Sequence, residues 1–69
     1  MVVAMYKENV KNDPEHIRVH KYADGTLHIE GITSRYAHEI GGTYNTIEEV
    51  EAFLNRRNRS RGYSLIIKL

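Results

Sequence analysis

Cysteine and tryptophan are absent from these 69 residues, and there is one proline, Pro14, and one phenylalanine, Phe53. Without thiols the chain has neither a disulfide framework nor a thiolate metal site, the two staples that stabilise many domains of this length. Their absence also points to a reducing, cytoplasmic setting. No long apolar run is present: the mean hydropathy is −0.55. The apolar start, Met1 to Tyr6, is too short for a secretory h-region or a membrane span, so no membrane association is expected. An excess of one charge is lacking too. Ten Lys and Arg against nine Asp and Glu leave a formal net charge of +1, which by composition does not mark a polyanion binder. Catalytic motifs are missing: there is no G-x-S-x-G elbow and no glycine-rich phosphate loop, and both aspartates, Asp13 and Asp24, fall in turn-like strings. A chain this short removes only about 60% of its unfolded surface from water and has little capacity to enclose a dry pocket. The expectation is one domain over residues 1–69, without enzymatic activity, cofactor or metal.

What is present is a strong period-two pattern. Met1 to Lys7 (MVVAMYK) is rich in strand formers, and the polar run from Glu8 to Glu15, with Asp13-Pro14 inside it, ends that strand in a loop. In His16 to Thr33 apolar and polar residues alternate on both sides of Asp24-Gly25, which predicts a β-hairpin. Its register can be argued. A two-residue Asp24-Gly25 turn would set Val19 against Glu30 and leave neither face apolar. A three-residue loop, Ala23-Asp24-Gly25, with Gly25 as the left-handed residue of a G1 bulge, sets Val19 against Ile29 and Lys21 against Leu27. Ile17, Val19, Leu27 and Ile29 then share one face. The other face carries Arg18 across from Glu30 and His20 across from His28, with Tyr22 beside them.

Residues 34–45 are the least legible; Tyr36 to Ile40 fits a short strand, and Gly41-Gly42 fits a turn or a hinge. Thr46 is an N-cap and Glu49 completes a capping box, so a helix is predicted over about 46–58. Ile47, Val50, Phe53 and Leu54 form its apolar stripe. Gly62 follows the basic helix end, and Tyr63 to Leu69 (YSLIIKL) closes the chain as a strand with Tyr63, Leu65, Ile67 and Leu69 on one face. The fold class is therefore α+β: a two-layer arrangement of an antiparallel sheet of about four strands, made of the N-terminal strand, the hairpin 16–33 and the C-terminal strand, packed against one helix.

Three surfaces are candidates for binding. Arg56, Arg59 and Arg61, with Arg57, gather four guanidinium groups between the helix end and the last strand. Arginine forks suit phosphate and carboxylate, whereas cations in that place also complement the helix dipole and keep a loop soluble. Arg18, His20, Tyr22 and His28 share the polar hairpin face, and such side chains can stack on bases, or form an ordinary solvated sheet face. His20 and His28 supply two nitrogens, but no third ligand at suitable spacing, so no metal centre is expected. The apolar terminal strands offer a third surface, because one of them at a sheet edge is a template for another chain, including a second copy.

The string Gly42-Thr43-Tyr44-Asn45-Thr46-Ile47-Glu48-Glu49 resembles a strand-to-helix unit of AP2-type DNA-binding domains. Together with the Gly62-Tyr63 strand it is also similar to small phage inhibitors of bacterial RNA polymerase. That likeness implies a small regulatory protein, of the kind phages and mobile elements carry, and assigns no functional residue. The reading that follows is a cytoplasmic binding protein that regulates or inhibits a partner protein through an edge strand and its Arg-rich segment. A nucleic-acid module using the arginines and the hairpin face is the alternative.

Overall fold

Alternating burial makes the strands. The computed structural model describes residues 1–69, in which β1 (Val2–Glu8), β2 (His16–Lys21), β3 (Leu27–Ile32) and β4 (Ala37–Tyr44) precede the helix α1 (Ile47–Arg57) and a last strand, β5 (Tyr63–Lys68). All neighbours in the sheet are antiparallel, in the order β4-β3-β2-β1-β5. The fold is thus α+β with one helix against one sheet, and the sheet has five strands rather than about four. β1 lies inside the sheet, and β5 and β4 are its edges.

The β2–β3 hairpin has the register argued from its alternation. Arg18 faces Glu30, Val19 faces Ile29, His20 faces His28 and Lys21 faces Leu27. Tyr22 donates its N–H to the Thr26 carbonyl at 2.9 Å around the three-residue loop, and Gly25 takes φ +87° there. Asp24 Oδ1 accepts from the Thr26 N–H at 3.0 Å, pinning the turn.

The additional strand is the stretch that the sequence left least legible. Ile40 faces Ile29 and Tyr44 faces Leu27, so β4 uses two more residues than β3 between these pairs. Gly41 and Gly42 absorb the excess as an irregularity within the strand, not as a turn that ends it. Gly41 sits at φ +70°, and a Cβ there would meet the Tyr44 hydroxyl at 2.8 Å and Phe53 Cζ at 3.1 Å. The kink carries Tyr44 back to Phe53 of the helix, with ring centroids 5.8 Å apart.

A second irregularity lies in β5. Lys68 and Ile67 face Ala4 and Met5, whereas Leu65 and Tyr63 face Tyr6 and Glu8, so Ile66 is an extra residue. One added residue reverses the side on which later residues emerge. Leu65 stays with Tyr6 and Ile17 on the helix side, but Ile67 joins Met5, Arg18 and Glu30 on the opposite side. The expectation that Tyr63, Leu65, Ile67 and Leu69 share a face is corrected accordingly.

Nine side chains form the core: Ala4, Tyr6, Ile17, Val19, Leu27, Ile29, Ile40, Val50 and Leu54. Each fully buried Val, Leu or Ile side chain among them contributes about 1.5–3 kcal/mol. Val50 and Leu54 come from the helical stripe, while Ile47 and Phe53 flank it partly buried. The helix packs chiefly over β3 and β4, leaving the β5 side of the same face thinly covered. It ends at Asn58, whose N–H bonds the Leu54 carbonyl at 3.2 Å; Gly62, at φ +70°, closes a later turn onto the Asn58 carbonyl at 2.9 Å. At its start, Thr46 Oγ1 accepts from the Glu49 N–H at 3.2 Å and Glu49 Oε1 accepts from the Thr46 N–H at 3.1 Å.

Because that capping box satisfies donors with no other partner, Thr46→Ala is expected to cost about 1 kcal/mol. Thermal unfolding followed by circular dichroism should show the midpoint lowered by about 4–8 °C for a domain of this size.

Candidate functional site

Glu15 is 3% exposed and ionisable, so the first question is what stabilises a carboxylate there. Arg57 donates Nε to Oε1 at 2.8 Å and Nη2 to Oε2 at 2.9 Å. Tyr63 donates its hydroxyl to Oε1 at 2.7 Å and Tyr36 donates its own to Oε2 at 2.6 Å. Each carboxylate oxygen therefore receives two bonds. Burial pushes the pKa of Glu15 upward, but the hydrogen bonds from Arg57, Tyr36 and Tyr63 and the charge of Arg57 outweigh it and bring it down to about 2. The same carboxylate is the main cause of the raised pKa of Arg57, whereas burial comes first and this bond second in raising that of Tyr63. Gly31 of β3 makes room for it, since a Cβ there would stand 2.7 Å from Oε2. No feature of the sequence announces this cluster: the donors lie 21, 42 and 48 residues away from Glu15.

The cluster divides the arginine string. Arg57 is committed to Glu15, and its guanidinium also lies 6.0 Å from the Phe53 ring centroid. Arg56, Arg59 and Arg61 are exposed and their guanidinium groups form no ion pair. Asn9 anchors the segment, with Nδ2 donating to the Arg61 carbonyl at 3.1 Å and Oδ1 accepting from Ser64 Oγ at 2.8 Å.

The hairpin face is brought together but largely paired within itself. Arg18 Nε stands 3.1 Å from Glu30 Oε1, a charge contact rather than a directed hydrogen bond, and His20 Nε2 lies 3.3 Å from the same oxygen. His28 Nδ1 is 2.9 Å from Glu39 Oε1, and its Nε2 is 3.0 Å from Thr26 Oγ1. Tyr22 stacks on His28 with centroids 3.8 Å apart. His20, Tyr22, His28, Glu30 and Glu39 line a shallow open hollow here. On this face the carboxylates Glu30 and Glu39 outnumber the single arginine, which disfavours a phosphate backbone. No group of three or more His, Asp or Glu side chains is disposed to hold a metal ion.

β5 is where exposure and chemistry disagree with an isolated domain. Leu65, Ile66 and Ile67 are 49%, 52% and 44% exposed, on a strand with no neighbour on its outer side, and Leu69, just after it, is exposed too. The Leu69 N–H bonds the Val3 carbonyl at 2.8 Å and the Asn9 N–H bonds the Gly62 carbonyl at 3.0 Å. Antiparallel alternation from these two anchors, through the Ile66 bulge, directs the backbone groups of Tyr63, Leu65 and Lys68 away from β1. Beside the strand, Tyr6, Leu54, Tyr63 and Leu65 line a groove whose polar rim is Glu51 and Asn55. Glu51 accepts from the Tyr6 hydroxyl at 2.9 Å.

Two measurements separate the structural arginine from the free ones. Arg57→Ala leaves a buried carboxylate uncompensated and is expected to cost about 3–5 kcal/mol in urea unfolding. Arg56→Ala, Arg59→Ala and Arg61→Ala should each stay within about 0.5 kcal/mol. The Glu15 contribution is present above its ordinary pKa of 4.5 and is lost as pH falls from there toward about 2, because the unfolded chain binds the proton first. That loss amounts to about 3 kcal/mol. Asp13 and Asp24 are also held below the usual range, by bonds from Ser34 and Thr26 respectively, and share the acid limb. Unfolding of Glu15→Gln across the same pH range isolates the Glu15 part, and its acid limb should be the shallower one.

Comparison of the chain with family models, with curated proteins and with solved structures finds no match, so the likeness of Gly42–Glu49 to AP2-type domains rests on that segment alone.

Proposed function

We propose that this is a non-enzymatic binding protein that captures an extended segment of a partner protein by strand addition at β5, and regulates that partner by occupying it. One observation carries this reading: an edge strand presents outward backbone groups together with three large apolar side chains, Leu65, Ile66 and Ile67, that are 44–52% exposed. An incoming strand would satisfy those backbone groups, and the side chains on its two faces would cover Leu65 on one side and Ile67 on the other. Arg56, Arg59 and Arg61 precede β5 and are free to meet acidic groups flanking the captured segment. Nucleic acid is the weaker partner, because Arg18, the one arginine of the hairpin face, is matched by Glu30, and Arg57 by Glu15. No helix of the chain is long and apolar enough to cross a membrane.

The test is affinity capture from lysate of the source cell, with and without nuclease and at low and high salt. The expected result is a defined protein that survives both treatments. Its recovery should fall about tenfold or more with Ile67→Lys, the loss of about 1.4 kcal/mol or more of binding. It should hold with Tyr22→Ala. Circular dichroism verifies that both variants are folded. Recovery of nucleic acid alone, lost at high salt and upon replacing Arg56, Arg59 and Arg61, overturns the proposal.

A further inference from the structure

The spacing of the outward backbone groups on β5 identifies a specific occupant. Tyr63, Leu65 and Lys68 direct their N–H and C=O groups away from β1, and their partners on β1 are Glu8, Tyr6 and Ala4, which are evenly spaced two residues apart. The Ile66 bulge moves the third of these β5 residues from Ile67 to Lys68, since it lets three residues of β5 cover the same rise as two residues of β1. Measured along the ladder, the outward groups are therefore symmetric about Leu65. A strand with that symmetry is complementary to itself when reversed.

We propose that in the free protein the β5 edge is covered by β5 of a second copy, antiparallel, with Leu65 on the two-fold axis. This rests on the reading of β5 as an open binding edge and names what occupies it before a partner does. The pairing sets Leu65 against Leu65 and Tyr63 against Lys68 of the second copy, twice over by symmetry, and leaves no outward backbone group of Tyr63, Leu65 or Lys68 unsatisfied. The two sheets become one sheet of ten strands with both helices on one side. Side chains agree with the backbone. Leu65 lies on the helix side, beside the groove of Tyr6, Leu54 and Tyr63, so the two leucines meet at the axis and bury each other. Lys68 shares that side with Ala4, and from the second copy it arrives next to Tyr63, where Glu51 rims the groove and lacks a cationic partner. On the opposite side Ser64 comes to face Ile67 of the second copy.

Dimerisation and partner capture then compete for one edge. A partner segment must displace the second copy, so capture strengthens as the protein is diluted.

Sedimentation of the whole chain from about 1 μM to about 1 mM tests the dimer over the affinities that an edge of this length supports. The expected mass rises from 8.0 kDa toward twice that value. Leu65→Glu, which sets two carboxylates together at the axis, should hold the chain at the monomer mass with its circular dichroism unchanged. Because the chain lacks cysteine, single-cysteine variants read the register directly. Directly opposed residues in a hydrogen-bonded pair have Cα atoms about 5.5 Å apart, within disulfide range. Leu65→Cys should therefore oxidise to a covalent dimer much faster than Ser64→Cys, which stands off the axis. A monomer mass throughout, a dimer that Leu65→Glu leaves intact, or equal cross-linking by the two cysteines overturns the inference. A monomer that still captures a partner, with Ile67→Lys abolishing capture, separates that failure from the failure of strand capture itself.

Discussion

A single carboxylate holds the lower end of this fold together. Glu15 lies in the loop entering β2, yet its four hydrogen bonds come from the residue just before β4, the last turn of α1 and the first residue of β5. The core of nine apolar side chains is small, and most of it lies along β1 to β3. Nonpolar burial therefore leaves the helix end and β5 lightly held. Four charge-assisted bonds to one buried group fix the positions of segments that the core barely touches. The cost of burying the charge is offset because both oxygens are saturated, to which Tyr36 and Tyr63 each add one bond beside the two of Arg57. Glu8 extends the arrangement, accepting from the Glu15 N–H at 3.0 Å and from Asn58 Nδ2 at 2.8 Å.

Anchoring β5 at one end has a consequence for the other. From Tyr63 the strand runs along β1 at the margin of the helix, since α1 lies chiefly over β3 and β4. A single helix of eleven residues does not cover five strands. The uncovered part of the helix-side face is the β5 edge, and it is there that Leu65 stands half exposed beside a groove. Apolar exposure at this edge thus follows from the mismatch between the width of the sheet and the coverage of the helix, and the bulge at Ile66 extends it to both faces. The hairpin face is a contrasting case. It is only partly open to solvent, its charges are matched across strands, and its carboxylates outnumber its arginine.

The hairpin, its register, its left-handed Gly25 and the capping box of α1 were legible in the residues, because each rests on contacts within a few positions or on strict alternation. The apolar stripe of the helix was legible for the same reason. β4 was not, because Gly41-Gly42 interrupts its alternation, and only the packing of Tyr44 on Phe53 shows that the strand resumes. The face assignment of β5 failed at Ile66, because an inserted residue in a run of apolar side chains leaves no trace in the pattern.

The candidate surfaces divide along the same line. Sequence alone placed four arginines in one segment, an apolar strand at each end of the chain and two histidines across one hairpin. Local spacing carries that much information. Tertiary structure decided that Arg57 belongs to Glu15, that β1 is interior while β5 is an edge, and that Arg18, His20 and His28 are each met by a carboxylate. Those outcomes depend on groups far apart in the chain, as distant as Ala4 and Lys68, and strand order and long-range ion pairing have no local periodicity by which to be read.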